Sequence, residues 1–304
     1  MVHLRELTTR LQLAGIPLRQ GEPMLRHTSF QIGGPAAVMV FPETADQVAE
    51  VFRLSREFRI TPIVLGAGTN VLAPDEGLDT LILETRTGLQ EISCLGDGVL
   101  EAECGATLTK LAVFAMEQGL SGLEFAHGIP GTVGGGVYMN AGAYGGELSQ
   151  VLAQVTVLYP SGNREVLMAE ELALGYRHSR FMEEEGMILS ARFRLTPGDP
   201  REIRSSMNEL MRRRRASQPL EFPSAGSTFK RPAGGYASAL IDKAGLKGLT
   251  VGGAQVSPKH AGFVINRGGA TCRDVLALME QVREKVLADS GITLEPEVRI
   301  LSAQ

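Results

Sequence analysis

Residues 128–146 hold eight glycines in nineteen positions, and no other feature of the chain constrains its fold as tightly. Glycine loses the most backbone freedom on folding, so such density needs a cause: positive φ, or close approach of the backbone to another group. The segment does not read as a flexible linker. Ile129, Val133, Val137, Tyr138 and Met139 are interleaved with the glycines, where a linker carries serine, lysine or glutamine. The mix points to a buried backbone packed against something large, flat and charged, such as a phosphorylated cofactor. Tight turns between core strands are the other reading of the glycines taken alone.

A second glycine turn upstream favours the cofactor. Pro62–Leu65 reads as a buried strand running into Gly66, Ala67, Gly68, Thr69 and Asn70. Backbone N–H groups freed by such a turn form an anion-binding nest, and Thr69 and Asn70 add side-chain donors. The turn is not a Rossmann fingerprint. Val71 stands at the third glycine position, and Pro74 falls where the phosphate-binding helix would run.

Composition sets outer bounds. At 304 residues the chain exceeds one comfortable core and is expected to form two or three lobes. A hydrophobic content of 43%, 21% charged residues and a net charge of −4 describe an ordinary soluble protein and argue against a general nucleic-acid binder. No apolar run is long enough to span a bilayer, and Met1–Glu6 lacks a signal-peptide core, so a cytoplasmic location without membrane insertion is expected. Cys94, Cys104 and Cys272 share no CxxC spacing, and the five histidines are scattered; no disulfide frame and no metal site are expected. Nothing suggests an obligate protein partner.

Short strands and helices alternate. A leading amphipathic helix is expected over 4–15, a strand over 36–41, and a helix from the capping box at Thr44–Gln47 to about Phe58. Strands near 62–65 and 80–84 complete a first lobe, residues 1–87. A second lobe, 88–198, begins with a strand over 99–104 and a helix from Thr107 to Gln118 closed by Gly119; the long glycine loop and strands near 151–159 and 187–195 follow. Thr196-Pro-Gly-Asp-Pro200 marks the boundary to a third lobe, 199–304, with helices near 200–216, 236–244 and 273–290 and a last strand after Glu297.

Other signals lie outside the glycine segments. Tyr176-Arg-His-Ser-Arg-Phe181 fits no helix period, and an arginine there can clamp a carboxylate; a surface salt bridge is the plainer reading. Gly226 and Ser227 sit in a proline-bounded loop over 218–232. A serine in such a loop is a turn residue, or a proton donor or nucleophile, and no GxSxG elbow supports a hydrolase. Arg212–Arg215 reads as a solvated helix end, with one arginine in reach of a diphosphate as the alternative. Glu295 and Glu297 stand at a strand entrance.

Seven segments in order carry a resemblance: Thr28–Gly34, Gly66–Asn70, Gly128–Gly135, Asn140–Tyr144, Tyr176–Arg180, Gly226–Lys230 and Leu294–Val298. Together they resemble the UDP-N-acetylenolpyruvoylglucosamine reductase family from about Leu25 to Leu301. The first four resemble the wider FAD-binding fold of the vanillyl-alcohol-oxidase type; the last three single out the reductase. The resemblance implies an α+β and α/β architecture, with two FAD-binding lobes and a C-terminal α+β substrate domain. With about thirty residues between Tyr236 and Asn266, the chain is similar to the shorter subtype, which lacks a tyrosine-loop insertion.

The resemblance also implies chemistry. The family reduces the enolpyruvyl ether of UDP-N-acetylglucosamine (UDP-GlcNAc-enolpyruvate) to UDP-N-acetylmuramate, with non-covalent FAD and with NADPH as reductant. By matched positions, Arg177 holds and polarises the substrate carboxylate, Ser227 protonates the α-carbon, and Glu297 pairs with the carboxylate region. Gly66, Ala67, Gly68, Thr69 and Asn70 hold the pyrophosphate on one side. Gly128, Ile129, Pro130, Gly131 and Thr132, continuing through Gly134 and Gly135, hold it on the other. Asn140, Ala141 and Gly142 lie near the ribityl chain or ring. Tyr144 and Arg231 contact substrate, Arg231 standing where other members carry asparagine. Gly136 departs from a commoner alanine, and Lys259 or His260 approaches the flavin or diphosphate. Two other classes compete with this reading: an oxidase of the same fold, which has no reason to carry Arg177, Ser227 and Glu297 together, and a non-catalytic flavin module, which has no reason to keep Ser227.

Overall fold

The structure is a computed structural model and describes residues 2–302. Caps and apolar spacing account for its helices. Helix α1 (Val2–Leu13) buries Leu7 and Leu11. Helix α2 (Ala45–Glu57) starts at Thr44, whose hydroxyl accepts the Gln47 N–H at 3.2 Å, and it buries Val48, Val51, Phe52 and Leu54. Helix α3 (Leu108–Glu117) starts at Thr107 in the same way, and Gly119 follows it at φ +67°.

The chain divides into two compact units, each assembled from separated stretches. The first comprises the residues up to Gln20, Val38–Ala67 and Thr80–Arg214; the second comprises Gly21–Ala37, Gly68–Asp79 and the described residues from Arg215 onward. Three strands are Leu18–Pro23, Pro35–Val40 and Leu78–Glu84. They belong to a four-stranded sheet that ends at Ile63–Leu65, which pairs parallel with Leu78–Glu84 through Ile63↔Ile82 and Leu65↔Glu84.

The first unit has two cores. One gathers α1, α2 and the Leu81–Leu83 strand segment, with Leu7, Val48, Val51, Leu81 and Leu83 as members. The other covers a five-stranded antiparallel sheet in the order Arg164–Met168, Leu152–Leu158, Met187–Arg194, Val99–Glu103, Ile92–Gly96. Val155, Ala191 and Ala102 face each other across that sheet and are buried with Leu108, Leu111 and Val137. The two outer strands escaped the sequence reading because they carry weak apolar alternation: Arg164–Met168 buries only Leu167, and Ile92–Gly96 is half-buried to exposed.

The segment read as one long glycine loop contains a helix, α4 (Val133–Tyr138), and this corrects the sequence expectation. Thr132 caps it, its hydroxyl accepting the Gly135 N–H at 3.3 Å. The glycines that lower its helix propensity are there for packing. A Cβ on Gly134 would come within 2.9 Å of Cys104 Cβ, and one on Gly136 within 3.1 Å of Leu108 and Leu148. Helix α5 (Pro200–Ser217) buries Ile203 and Met207.

The second unit has its own core around Phe30, Leu72, Phe229, Ile241, Val264, Val275 and Leu278. It holds α6 (Ala237–Lys243), α7 (Cys272–Ser290) and a three-stranded antiparallel sheet, Thr250–Val251, Ala254–Val256 and Val264–Asn266. Helix α7 carries a full capping box: Thr271 Oγ1 accepts the Asp274 N–H and Asp274 Oδ2 accepts the Thr271 N–H, both at 3.0 Å. The Asp75 carboxylate adds acceptors for the N–H groups of Cys272 at 2.7 Å and Arg273 at 3.0 Å. Arg299–Ile300 pairs parallel with Val71–Leu72. Among the described residues no helix is long and apolar enough to cross a membrane, and no group of three or more His, Cys, Asp or Glu is placed to hold a metal ion.

Candidate functional site

Strand Ile63–Leu65 ends where the chain must turn sharply, and the turn leaves donors over. Among the described residues, the backbone N–H groups of Gly66, Ala67 and Gly68 have no acceptor within the chain. Gly66 lies so close to Thr132 that an added Cβ would fall onto the threonine hydroxyl, which sets the first glycine turn beside the second. Gly68 has φ +61° and is packed against the carbonyl of His27, so no other residue fits there. In the second turn Gly131 has φ +146°, and the N–H groups of Gly128 and Gly131 likewise have no acceptor among the described residues.

Not every glycine of the second turn offers a donor. Ile129 donates to Ala126 O at 3.0 Å, Gly134 to Cys104 O at 2.9 Å and Gly135 to the Thr132 hydroxyl. Pro130 has no N–H to give. Gly128 and Gly131 thus keep free donors, while Gly134 serves the contact between α4 and Cys104.

Asn140 is buried at 1% exposure and its side chain is bonded at both ends. Its amide donates to Glu147 Oε1 at 3.2 Å and Gly175 O at 3.0 Å, and its carbonyl accepts the Ser149 N–H at 2.9 Å. It therefore ties three segments together, and both of its amide hydrogens are taken. Ala141 is held by backbone bonds to Gly136 O at 2.8 Å and from Leu148 N at 3.0 Å.

Two tight hairpins follow. Gly142–Ala143 pairs with Gly146–Glu147 across Tyr144 and Gly145, both at positive φ (+55° and +89°), as a two-residue type I′ turn requires. Gly175 and His178 exchange backbone bonds at 3.1 and 3.2 Å across Tyr176 and Arg177. Arg177 sits at φ +52°, a conformation that a side chain with a Cβ rarely adopts. Its guanidinium donates to Gly142 O at 3.3 Å and lies over the Tyr176 ring at 5.2 Å. Ser179 fixes the base of the hairpin through its bond to Tyr138 O at 2.7 Å. Tyr144 is 41% exposed, and Arg213 of α5 stacks on its ring at 5.1 Å. The first unit thus gathers Asn140, Gly142, Tyr144 and Arg177.

The second unit gathers Asn70, Ser227 and Glu297. The residue after Ser227 is pinned twice: Thr228 N donates to Gly262 O at 2.8 Å, and the Thr228 hydroxyl accepts Val264 N at 3.0 Å. The Glu297 N–H donates to Thr228 O at 2.8 Å, and Asn70 Nδ2 donates to Glu297 O at 3.1 Å. The half-buried Ser227 hydroxyl has no partner among the described residues, and the space before Gly226 is open. Thr69 precedes Asn70 in the same turn. Arg231 lies over the Tyr236 ring at 4.5 Å. Lys259 is engaged with Arg215 O at 2.8 Å. His260 is a packed histidine: its ring meets Phe263 edge-on, Nδ1 accepts the Gly262 N–H at 3.1 Å, and burial lowers its pKa.

The four-arginine run is not the uniformly solvated helix end that the sequence suggests. Arg212 pairs with Glu209 at 2.8 Å and is exposed, Arg213 stacks on Tyr144, and Arg214 is half-buried against Gly128. The missed signal was periodic: Ile203, Met207, Leu210 and Arg214 are spaced four, three and four, which puts Arg214 on the buried stripe of α5.

Turns with unfilled backbone donors, side by side and too tight for a Cβ, suit a diphosphate, and they lie within a stretch, residues 36–167, that matches the FAD binding domain family. The cofactor is therefore FAD and the protein is a flavin oxidoreductase. Residues 218–301 match the C-terminal domain of UDP-N-acetylenolpyruvoylglucosamine reductase. The chain is 46% identical over 301 residues to the reductase of that name from Agathobacter rectalis, covering 95% of this chain and 96% of the relative. It is 45% identical over 287 residues to the one from Syntrophomonas wolfei, covering 94% and 96%. The crystal structure of the Thermus caldophilus reductase superposes with a TM-score of 0.80 at 35% identity, covering 94% of this chain and 98% of that one. The α+β architecture, the paired glycine turns and both matched domains are accounted for end to end by one assignment: the chain belongs to the UDP-N-acetylenolpyruvoylglucosamine reductase family.

Proposed function

We propose that this protein reduces the enolpyruvyl ether of UDP-GlcNAc-enolpyruvate to UDP-N-acetylmuramate, a step of peptidoglycan precursor synthesis, with NADPH as reductant. The observation that carries the reading is the pairing of an unpartnered Ser227 hydroxyl with Glu297, anchored one residue away through Thr228. FAD, bound non-covalently, would supply hydride-transfer chemistry between NADPH and the enolpyruvyl group. The pyrophosphate is held by Gly66, Ala67, Gly68 and the donors of Gly128 and Gly131.

Hydride addition leaves negative charge on the substrate α-carbon and its carboxylate. Arg177 holds that carboxylate, and its fixed position on a strained hairpin means that little reorganisation is needed as charge develops. Ser227 delivers the proton to the α-carbon from one side and recovers it from solvent, which sets the configuration of the lactyl ether. Alcohols are weak acids, but an enolate carbon is a strong base and the geometry is fixed. Glu297 stabilises the enol form or orients the arginine. Tyr144 and Arg231 contact the substrate.

The division into two FAD-binding lobes, 1–87 and 88–198, and a substrate domain, 199–304, is proposed from the order of the matched segments along the chain. The reaction requires no membrane, nucleic acid or protein partner and is placed in the cytoplasm. The test is a pair of anaerobic half-reactions. NADPH is expected to bleach the flavin, and UDP-GlcNAc-enolpyruvate is expected to restore its oxidised spectrum with one UDP-N-acetylmuramate formed per flavin. Bleaching without recovery would reject the substrate.

A further inference from the structure

The arginine run on α5 contains a cation that no described residue neutralises. Arg214 is half-buried, and among the described residues no carboxylate or carbonyl accepts from its guanidinium. Its stem crosses the second glycine turn: a Cβ built on Gly128 would lie 3.2 Å from Arg214 Cδ and 3.5 Å from Met211 Cε. A larger residue at position 128 would press on the arginine stem. Burial depresses the Arg214 pKa, with Tyr144 acting in the opposite sense. A guanidinium is too strong a base to escape by losing its proton, so the desolvated charge persists until an anion meets it. The unfilled N–H groups of Gly128 and Gly131 belong to the turn that this side chain crosses.

We propose that Arg214 is the charge partner of a diphosphate seated on the Gly128–Thr132 turn, and that the diphosphate is that of FAD. A planar fork beside backbone donors suits two adjacent phosphate groups better than a point charge does. The UDP-sugar also carries a diphosphate. The flavin is favoured because Gly128 and Gly131 lie within the matched FAD-binding stretch. The inference rests on the flavin cofactor and not on the identity of the reduced substrate.

The test strips the flavin and titrates FAD back into the unaltered protein, R214Q, R214K and R212Q, reading the dissociation constant from flavin fluorescence. R214Q is expected to bind FAD about 10- to 100-fold more weakly, as expected for loss of a charged hydrogen-bond pair. R214K should recover part of the loss, and R212Q, which changes an arginine already paired with Glu209, should match the unaltered protein. The flavin-free R214Q protein should melt no lower than the unaltered flavin-free protein, because an unpaired desolvated cation has been removed, while its stabilisation by added FAD shrinks. Unchanged FAD affinity overturns the proposal. If the KM for the UDP-sugar rises instead, the diphosphate is the substrate's and the assignment to the flavin is wrong. Equal destabilisation with and without FAD marks Arg214 as structural and also overturns it. Should R214Q fail to fold, the same titration of R214K decides. Affinity is read without turnover, so failure here and failure of the proposed reduction are separable.

Discussion

The backbone N–H of Glu297 donates to the carbonyl of Thr228 at 2.8 Å, which fixes Glu297 beside the segment that carries Ser227. Two distant parts of the chain are thereby locked at the place where an acid and a hydroxyl are wanted together. Ser227→Ala deletes the hydroxyl and leaves every anchoring bond in place. Flavin reduction by NADPH should be unchanged, and reoxidation by UDP-GlcNAc-enolpyruvate should slow about 10²- to 10⁴-fold. Stopped-flow absorbance of the two half-reactions separates them; normal reoxidation would remove Ser227 from the chemistry.

Arg177 occupies a left-handed conformation at φ +52°. Arg177→Gly relieves backbone strain worth about 1 kcal/mol, which offsets part of the loss of the bond to Gly142 O and of the stacking on Tyr176. Thermal unfolding should move little, while kcat falls about 10²- to 10³-fold with the carboxylate clamp gone. A large drop in melting temperature would instead make Arg177 a structural residue.

Asn140 should be a stability residue more than a ligand-binding one. Asn140→Ala leaves Gly175 O and Ser149 N without partners in a buried site, at a cost of about 2–3 kcal/mol in urea unfolding. Asn140→Asp sets a carboxylate beside Glu147 Oε1, now 3.2 Å from the amide nitrogen. Its penalty should be greatest at high pH and ease as the pH falls, because two like charges in contact favour uptake of a shared proton.

The three cysteines should differ sharply in reactivity. Burial pushes the Cys104 thiol up to about 12, with Glu103 adding to the rise; burial, then Asp75 and Glu76, pushes Cys272 up to about 11. Only thiolates attack disulfide reagents, so at about pH 8 the folded protein should show one fast thiol, the exposed Cys94. The other two should appear on unfolding. A second fast thiol in the native protein would contradict the burial.

Local chemistry explains which parts of the fold were legible in the sequence. Thr44, Thr107 and Gly119 announce helix ends through bonds to their own neighbours, and those helices lie where the spacing puts them. Helix α4 was hidden because its glycines answer to Cys104, Leu108 and Leu148, which are remote in sequence. The same limit applies at the site. Gly66, Gly68 and Gly131 were readable as turn residues. The bonding of Asn140, the commitment of the Gly134 N–H and the burial of Arg214 depend on partners brought in from 35, 30 and 86 residues away, respectively.

Arg299–Ile300 forms its ladder with Val71–Leu72 in parallel register. During synthesis, Val71 leaves the ribosome 228 residues ahead of Arg299. At about 5–20 residues per second the earlier strand waits roughly 10–50 s for its partner. Over that interval Leu72, buried in the finished protein, has no completed core to enter, and the second unit cannot close. The nascent chain therefore carries a sticky, half-built edge for most of its translation, and chaperone dependence in the cell should follow elongation speed over about the last three quarters of the message.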